Sequence, residues 1–167
     1  NATATYGHIR DWNVSAVTNM QSAFENRTSF DENITGWDVS NVTNMRRLFL
    51  GATSFNQPIG NWNISSVIDA GYMFHNASSF NQPIGDWNVS SVTNMASVFV
   101  GTSFNQAIGG WDVSSVEIMD WMFLNAVNFN QDLGDWNLTS LTSLNRTFSQ
   151  ATSFDQDLSH WNVLAVT

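Results

Sequence analysis

Apolar residues recur at fixed phase along this chain. Seven tryptophans, Trp12, Trp37, Trp62, Trp87, Trp111, Trp136 and Trp161, follow one another at 25-residue spacing, with a single spacing of 24 between Trp87 and Trp111. The other apolar columns keep step with them. Counted from Trp37, the inward candidates are Ile34, Trp37, Val39, Val42, Met45, Phe49, Ala52 and Phe55, and Ile59 opens the next unit. A period of this kind marks a tandem array, in which each unit buries its apolar face against its neighbours. The short spacing falls between Gly101 and Ser103, where the small residue seen as Ala52 and Ala77 is missing, so the deletion sits in a turn.

Each unit divides into two expected elements. Trp37-Asp38-Val39 alternates in, out, in, as do Trp62-Asn63-Ile64 and Trp87-Asn88-Val89, and this predicts a short strand. Val42, Met45 and Phe49 follow at i, i+3, i+7, which predicts a helix of two turns. Ser15, Ser40, Ser65, Ser90, Ser114 and Thr139 precede that stripe and read as N-caps. Asn26, Gly51, Asn76, Gly101, Asn125 and Gln150 follow it and read as the left-handed residue that ends it. A strand, a crossover of some twenty residues and another strand require parallel neighbours. The expected fold class is therefore α/β: a solenoid with a curved parallel sheet of short strands on the concave face and short helices on the convex face. Seven strands at about 4.8 Å per step would span roughly 30 Å. Residues 1–167 read as a single tandem-repeat domain of about six to seven units. The start at Asn1 and the end at Thr167, part way through a unit, read as a fragment of a longer array.

Composition narrows the function class. Apolar residues make up 43% of the chain and aromatics 13%, enough for a core and too much for disorder. The net charge is −9, and five arginines are the only strong cations, which argues against nucleic acid as a partner and against an anionic membrane surface. No apolar run approaches the length that direct membrane insertion needs. With no Cys there is no disulfide, thiolate metal site or thiol nucleophile.

The unit Ile-x-x-Trp-[Asp/Asn]-Val-Ser-x-Val-Thr-Asn-Met-x-x-x-Phe-x-x-Ala-x-Ser-Phe-Asn-Gln, legible at Ile34 to Gln57 and again at Ile84 to Gln106, resembles the 25-residue leucine-rich repeat of the BspA-like group of bacterial surface proteins. The resemblance covers nearly the whole chain. It implies a horseshoe-like leucine-rich-repeat solenoid, extracellular or cell-surface placement, and adhesion or protein binding. Ala70 and Leu144 in place of Met, and Leu164 in place of the capping Ser, depart from the pattern.

Candidate contact residues lie in the polar columns. The outward residue between Trp and Val gives Asn13, Asp38, Asn63, Asn88, Asp112, Asn137 and Asn162, and the residue before each Trp adds Asp11, Asn61, Asp86, Asp135 and His160. Together they predict an acidic, amide-rich partner-binding groove on the concave face; Asx side chains that only brace adjacent backbone are the competing reading. Asp86, Asp112 and Asp135 could take a divalent cation through hard oxygen ligands, but no loop has calcium-ligand spacing, so no metal or cofactor is expected. Gln57, Gln82, Gln106, Gln131 and Gln156 predict an amide ladder on a turn. The column Ser22, Arg47, Tyr72, Ser97, Trp121, Arg146 is the most varied and is expected to be exposed, with Arg47, Tyr72, Trp121 and Arg146 as possible convex contacts or as cation–π braces between units. The in-phase Trp are expected in the core, each indole N–H donating to a carbonyl or Asn of a neighbouring unit, and Met20, Met45, Met95 and Met119 as packing.

Enzymatic chemistry finds no support, since His8, His75 and His160 occupy three different phases in distant units and every acid has near-copies. The expected function is a non-catalytic surface or secreted module that docks a protein or glycan partner. The alternative is a structural spacer that displays other domains and has no ligand of its own. A crystal-surface binder would need matched Thr, and Thr18, Thr43 and Thr93 lapse at Ile68 and Glu117.

Overall fold

In the computed structural model, which describes residues 5–166, the 25-residue units form coils that stack in sequence order. The expected α/β architecture does not form. Among the described residues the regular elements are 3-10 turns at Ile9–Asp11 and Ile59–Asn61, a fragment of helical turn at Thr5–Tyr6, and one-residue parallel bridges. There is no strand at Trp37-Asp38-Val39 and no helix across Val42 to Phe49. Among the described residues there is neither a sheet nor a row of helices to form the expected concave and convex faces, and the leucine-rich-repeat solenoid is corrected to a stack of turn-built coils.

The backbone hydrogen bonds give the reason. From Met45 onward, alternate N–H groups leave the coil: Met45, Arg47, Phe49 and Gly51 donate to the carbonyls of Asp69, Gly71, Met73 and His75 in the next coil. The N–H groups between them turn back three residues, Leu48 to Met45, Leu50 to Arg47 and Ala52 to Phe49. The segment thus satisfies its backbone half by consecutive tight turns and half by its neighbours, with nothing left for a helical ladder. The first and last of these turns have positive φ at their third residue, Arg47 and Gly51. The Gly/Asn column supplies it as expected, from Asn26 (φ 57) and Gly51 (φ 67) to Gln150 (φ 59). A second left-handed column stands four residues earlier: Ser22 (φ 58), Arg47 (φ 56), Tyr72 (φ 62), Ser97 (φ 59), Trp121 (φ 56) and Arg146 (φ 53). Each of these L-residues costs about 1–2 kcal/mol of backbone energy, which the two bonded sides of the segment offset. A left-handed residue at every fourth position excludes an α-helix.

The parallel pairing that does exist lies beside the Met column: Asn19, Asn44, Asp69, Asn94, Ile118 and Ser143 bridge in succession. Side chains here close turns, as where Asn44 Oδ1 accepts the Arg46 N–H at 2.9 Å and Asp69 Oδ1 the Gly71 N–H at 2.8 Å. The Gln ladder expectation is met in altered form. Asn56, Asn81, Asn105 and Asn130 each accept the backbone N–H of the equivalent residue one coil on, while Gln82, Gln106, Gln131 and Gln156 donate from the next coil to the same asparagines.

Every inward candidate from Ile34 to Ile59 is buried. Leu48, Met73, Val98 and Met122 form a further buried column that the periodic reading passed over. The indole N–H groups of Trp37, Trp62, Trp87, Trp111, Trp136 and Trp161 donate to the carbonyls of Ile9, Ile34, Ile59, Ile84, Ile108 and Leu133 in the preceding coil at 2.8–3.3 Å, so the ladder pins coil to coil. All twelve phenylalanines join a double stack. Within a coil, Phe49 lies 3.8 Å from Phe55, and between coils Phe49 lies 5.7 Å from Phe74 and Phe55 lies 6.0 Å from Phe80. Where Ala70 interrupts the Met column an apolar cavity of about 20 Å³ remains among Met45, Met73 and Met95, too small for a ligand and without polar groups to hold a water. The one-residue deletion falls elsewhere than expected: Thr102 occupies the slot of Ala52 and Ala77, buried, with its hydroxyl donating to Phe99 O at 2.9 Å.

Candidate functional site

The in, out, in alternation around Trp survives without a strand. Trp37 and Val39 are buried while Asp38 between them is exposed, and Asn63, Asn88, Asp112 and Asn137 are exposed between buried neighbours in the same way. Asn13 and Asn162 are exposed too, but at these ends Trp12 and Val163 are also exposed, so Trp12 is not in the core as expected. Their order comes from Asx turns. Asp38 Oδ1 accepts from the Ser40 N–H at 3.1 Å and the Ser40 hydroxyl at 2.6 Å. Asn13, Asn63, Asn88 and Asp112 hold Ser15, Ser65, Ser90 and Ser114 alike, and Asn137 takes the Thr139 N–H and Asn162 the Leu164 N–H. The serine column is therefore not a set of helix N-caps: its hydroxyls donate to the Asx oxygen, and the Asx residue is the cap. The serine donors hold the carboxyls of Asp38 and Asp112 below the usual aspartate range.

One side-chain oxygen of each Asx is committed to its own turn. Among the described residues the second atom, Oδ2 of Asp38 and Asp112 or Nδ2 of Asn13, Asn63, Asn88 and Asn137, makes no hydrogen bond to protein and faces outward. The result is a column of mixed acceptors and donors, one to each coil.

The residues before Trp are also exposed and border shallow depressions. Asn61 and Asp86 line one of about 390 Å³ with Pro58, Gly60, Pro83 and Gly85. Asp135 lines another of about 270 Å³ with Ala107, Gly109, Gly110, Gln131 and Asp132. Asn61 is half committed, since its Nδ2 donates to Thr35 O at 3.0 Å. The floor is backbone held close by glycine. A Cβ on Gly85 would stand 2.5 Å from Ala107 O, and one on Gly109 2.6 Å from Asp132 O. Asp11 and His160 are exposed near the two ends of the stack and share no depression with the others. Among the described residues no group of three His, Asp or Glu is placed to hold a metal ion.

The other candidate column is corrected as well. It is not a uniformly exposed helix face: Ser97 is buried, Ser22, Arg47, Tyr72 and Trp121 are half-buried, and Arg146 is exposed. Arg47 Cζ lies 5.6 Å from the Tyr72 ring centroid, and Arg46 joins it at 4.8 Å. Among the described residues Trp121 and Arg146 make no such contact. The periodic reading passed over Arg46 and Asp69, set His75 aside as one of three scattered histidines, and passed over Gly60, Gly85 and Gly109, whose signal was one small-residue column two positions before Trp.

A family model described as "Mycoplasma protein of unknown function, DUF285" matches residues 1–103 and again residues 82–167. The two matches span the chain, which belongs to this repeat family. No curated protein and no solved structure matches it.

Proposed function

We propose that the chain is a non-catalytic binding module that docks a protein or glycan partner along the exposed Asx edge. The carrying observation is that the side-chain atoms outward of the Asx turns make no protein hydrogen bond, while Asn61, Asp86 and Asp135 beside them border shallow depressions floored by backbone. Rigid, pre-organised polar atoms lose little entropy on binding, which suits a recognition surface. The repeat motif supports the finer kinship to BspA-like surface proteins, and with it extracellular or cell-surface placement. Among the described residues no helix is long and apolar enough to cross a membrane.

A glycan array run beside a pull-down from host extracellular matrix tests this reading, with wild type compared against an Asp86→Asn, Asp135→Asn variant. Binding that weakens in the variant supports the edge as the contact surface. Binding to neither source favours the second reading, a spacer that displays other domains, which has its own support: each Asx side chain already closes a turn, so a uniform column needs no ligand to explain it.

A further inference from the structure

Two of the five arginines stand side by side at Arg46 and Arg47, in columns that elsewhere hold Gln21, Gly71, Ala96, Asp120 and Asn145, or Ser22, Tyr72, Ser97, Trp121 and Arg146. One coil on, His75 occupies a column of Glu25, Leu50, Val100, Leu124 and Ser149. These three columns vary from coil to coil, and only at these two adjacent coils do they bring two guanidinium groups, a phenol ring and an imidazole together. We propose that Arg46, Arg47, Tyr72 and His75 form a site for an oxyanion, either a carboxylate or a phosphate-type ester, carried by a ligand.

The geometry supports this in several ways. Both guanidinium carbons lie over the Tyr72 ring, at 4.8 and 5.6 Å from its centroid, and the His75 ring lies 5.7 Å from the same ring. Arg46 Nη1 stands 3.7 Å from Asp69 Oδ2, whereas among the described residues Arg47 has no carboxylate partner. Arg47 Nε and His75 Nδ1 are both buried without a hydrogen-bond partner. Arg47 Nε is a buried donor left unmet on a cation with no carboxylate partner, and an accepting anion is the chemistry that would satisfy it; the same anion serves His75 Nδ1 in the tautomer that carries its proton there. A guanidinium held near an aromatic ring spends no hydrogen-bond donor on that contact, and its planar set of N–H groups is the chemistry that takes a carboxylate or phosphate bidentately. Burial holds the His75 imidazole below its usual range, so at neutral pH it donates one N–H and adds no charge.

Bracing between coils does not by itself account for the cluster. The next coils pair through the same backbone ladder, Ser97 to Asp120 and Trp121 to Asn145, with no guanidinium over an aromatic ring. The cluster lies on the turn-built segment, separate in sequence from the Asx edge, so its failure and the failure of the binding proposal are distinguishable.

The test is a titration of the intact chain followed through the arginine Nε–H signals, with inorganic phosphate in one arm and glucuronate in the other, at constant ionic strength. The expected result is a saturable shift at Arg47 and Arg46, with Arg10, Arg27 and Arg146 unmoved. Arg47→Gln should weaken it about tenfold or more, as loss of charge-assisted bonds requires. Arg47→Lys, which keeps the charge and loses the fork, should also weaken it and serves if Arg47→Gln does not fold; Arg146→Gln should leave it unchanged. Tighter glucuronate assigns the site to a carboxylate, and tighter phosphate to an ester. A linear drift shared by all five arginines, or saturable binding unaltered by loss of Arg47, would overturn the proposal.

Discussion

Gly109 and Gly110 are neighbours in sequence, yet substitution by Ala should act with opposite sign. A Cβ at Gly109 would stand 2.6 Å from the Asp132 carbonyl oxygen of the next coil and 3.6 Å from its carbon, whereas a Cβ at Gly110 meets nothing within 4 Å. The obstructing atom is backbone, so no rotamer change relieves it. The coils must part locally, and the adjacent indole bond from Trp136 to Ile108 O at 3.2 Å is strained with them. Forced overpacking of this kind costs about 1–3 kcal/mol. Gly110 has no φ in the left-handed region, so Ala there only narrows the unfolded ensemble and should stabilise by about 0.4–1 kcal/mol. For a chain of this length 1 kcal/mol moves the melting temperature by about 2–4 °C, so the two variants should fall on opposite sides of wild type. Thermal melts read beside denaturant titrations with unchanged slope would measure it. Gly109→Ala equal to or above wild type would refute the close stacking of coils at this edge.

Trp87→Ala should cost about 3–5 kcal/mol, because a side chain only 6% exposed is deleted and the Ile59 carbonyl loses one of its two donors, while Trp12→Ala, 43% exposed, should cost far less; equal losses in denaturant titrations would contradict the difference in burial between the two rings. Asp38 and Asp112 have folded pKa values below the ordinary 3.8, so their stabilising effect is complete above that value and is lost as pH falls through the folded one. Melting temperature should therefore decline on acidification through this range, and the decline should be shallower in Asp38→Asn, Asp112→Asn. His75, held below 6.5 by burial, acts with the same sign at higher pH, and His75→Gln should remove that step from the melting profile. A double-mutant cycle on Arg47 and Tyr72 should give a coupling of about 0.5–1 kcal/mol, and one on Trp121 and Arg146 a coupling near zero; the reverse order would contradict the contacts seen.

The period, the inward columns from Ile34 to Phe55 and the left-handed Gly51 column were legible because burial and positive φ both select residue types that a repeat displays many times over. The path of the chain between those columns was not. Val42, Met45 and Phe49 at i, i+3, i+7 fit a helical stripe, but consecutive four-residue turns also return a side chain inward every three or four positions. What separates the two is the left-handed column of Ser22, Arg47, Tyr72, Ser97, Trp121 and Arg146, and such residues give no sign of positive φ in a sequence. Ser40 misled for a related reason: Asp38 and Ser40 are both capping residues, and their order in the bond depends on whether a helix follows. At the candidate site, exposure of the Asx and pre-Trp columns was readable from alternation. The pairing of Arg46 with Tyr72 required knowing which residues adjacent coils bring together.

One feature sets this fold apart from a helical repeat: from Met45 to Ala52 alternate N–H groups bond to the neighbouring coil, and none bonds four residues back. Scalar coupling across hydrogen bonds reports donor and acceptor directly. It should connect the Phe49 amide nitrogen to the Met73 carbonyl carbon, and likewise Arg47 to Gly71 and Gly51 to His75. Coupling from Phe49 to the Met45 carbonyl, the partner four residues back that an α-helix demands, would contradict it.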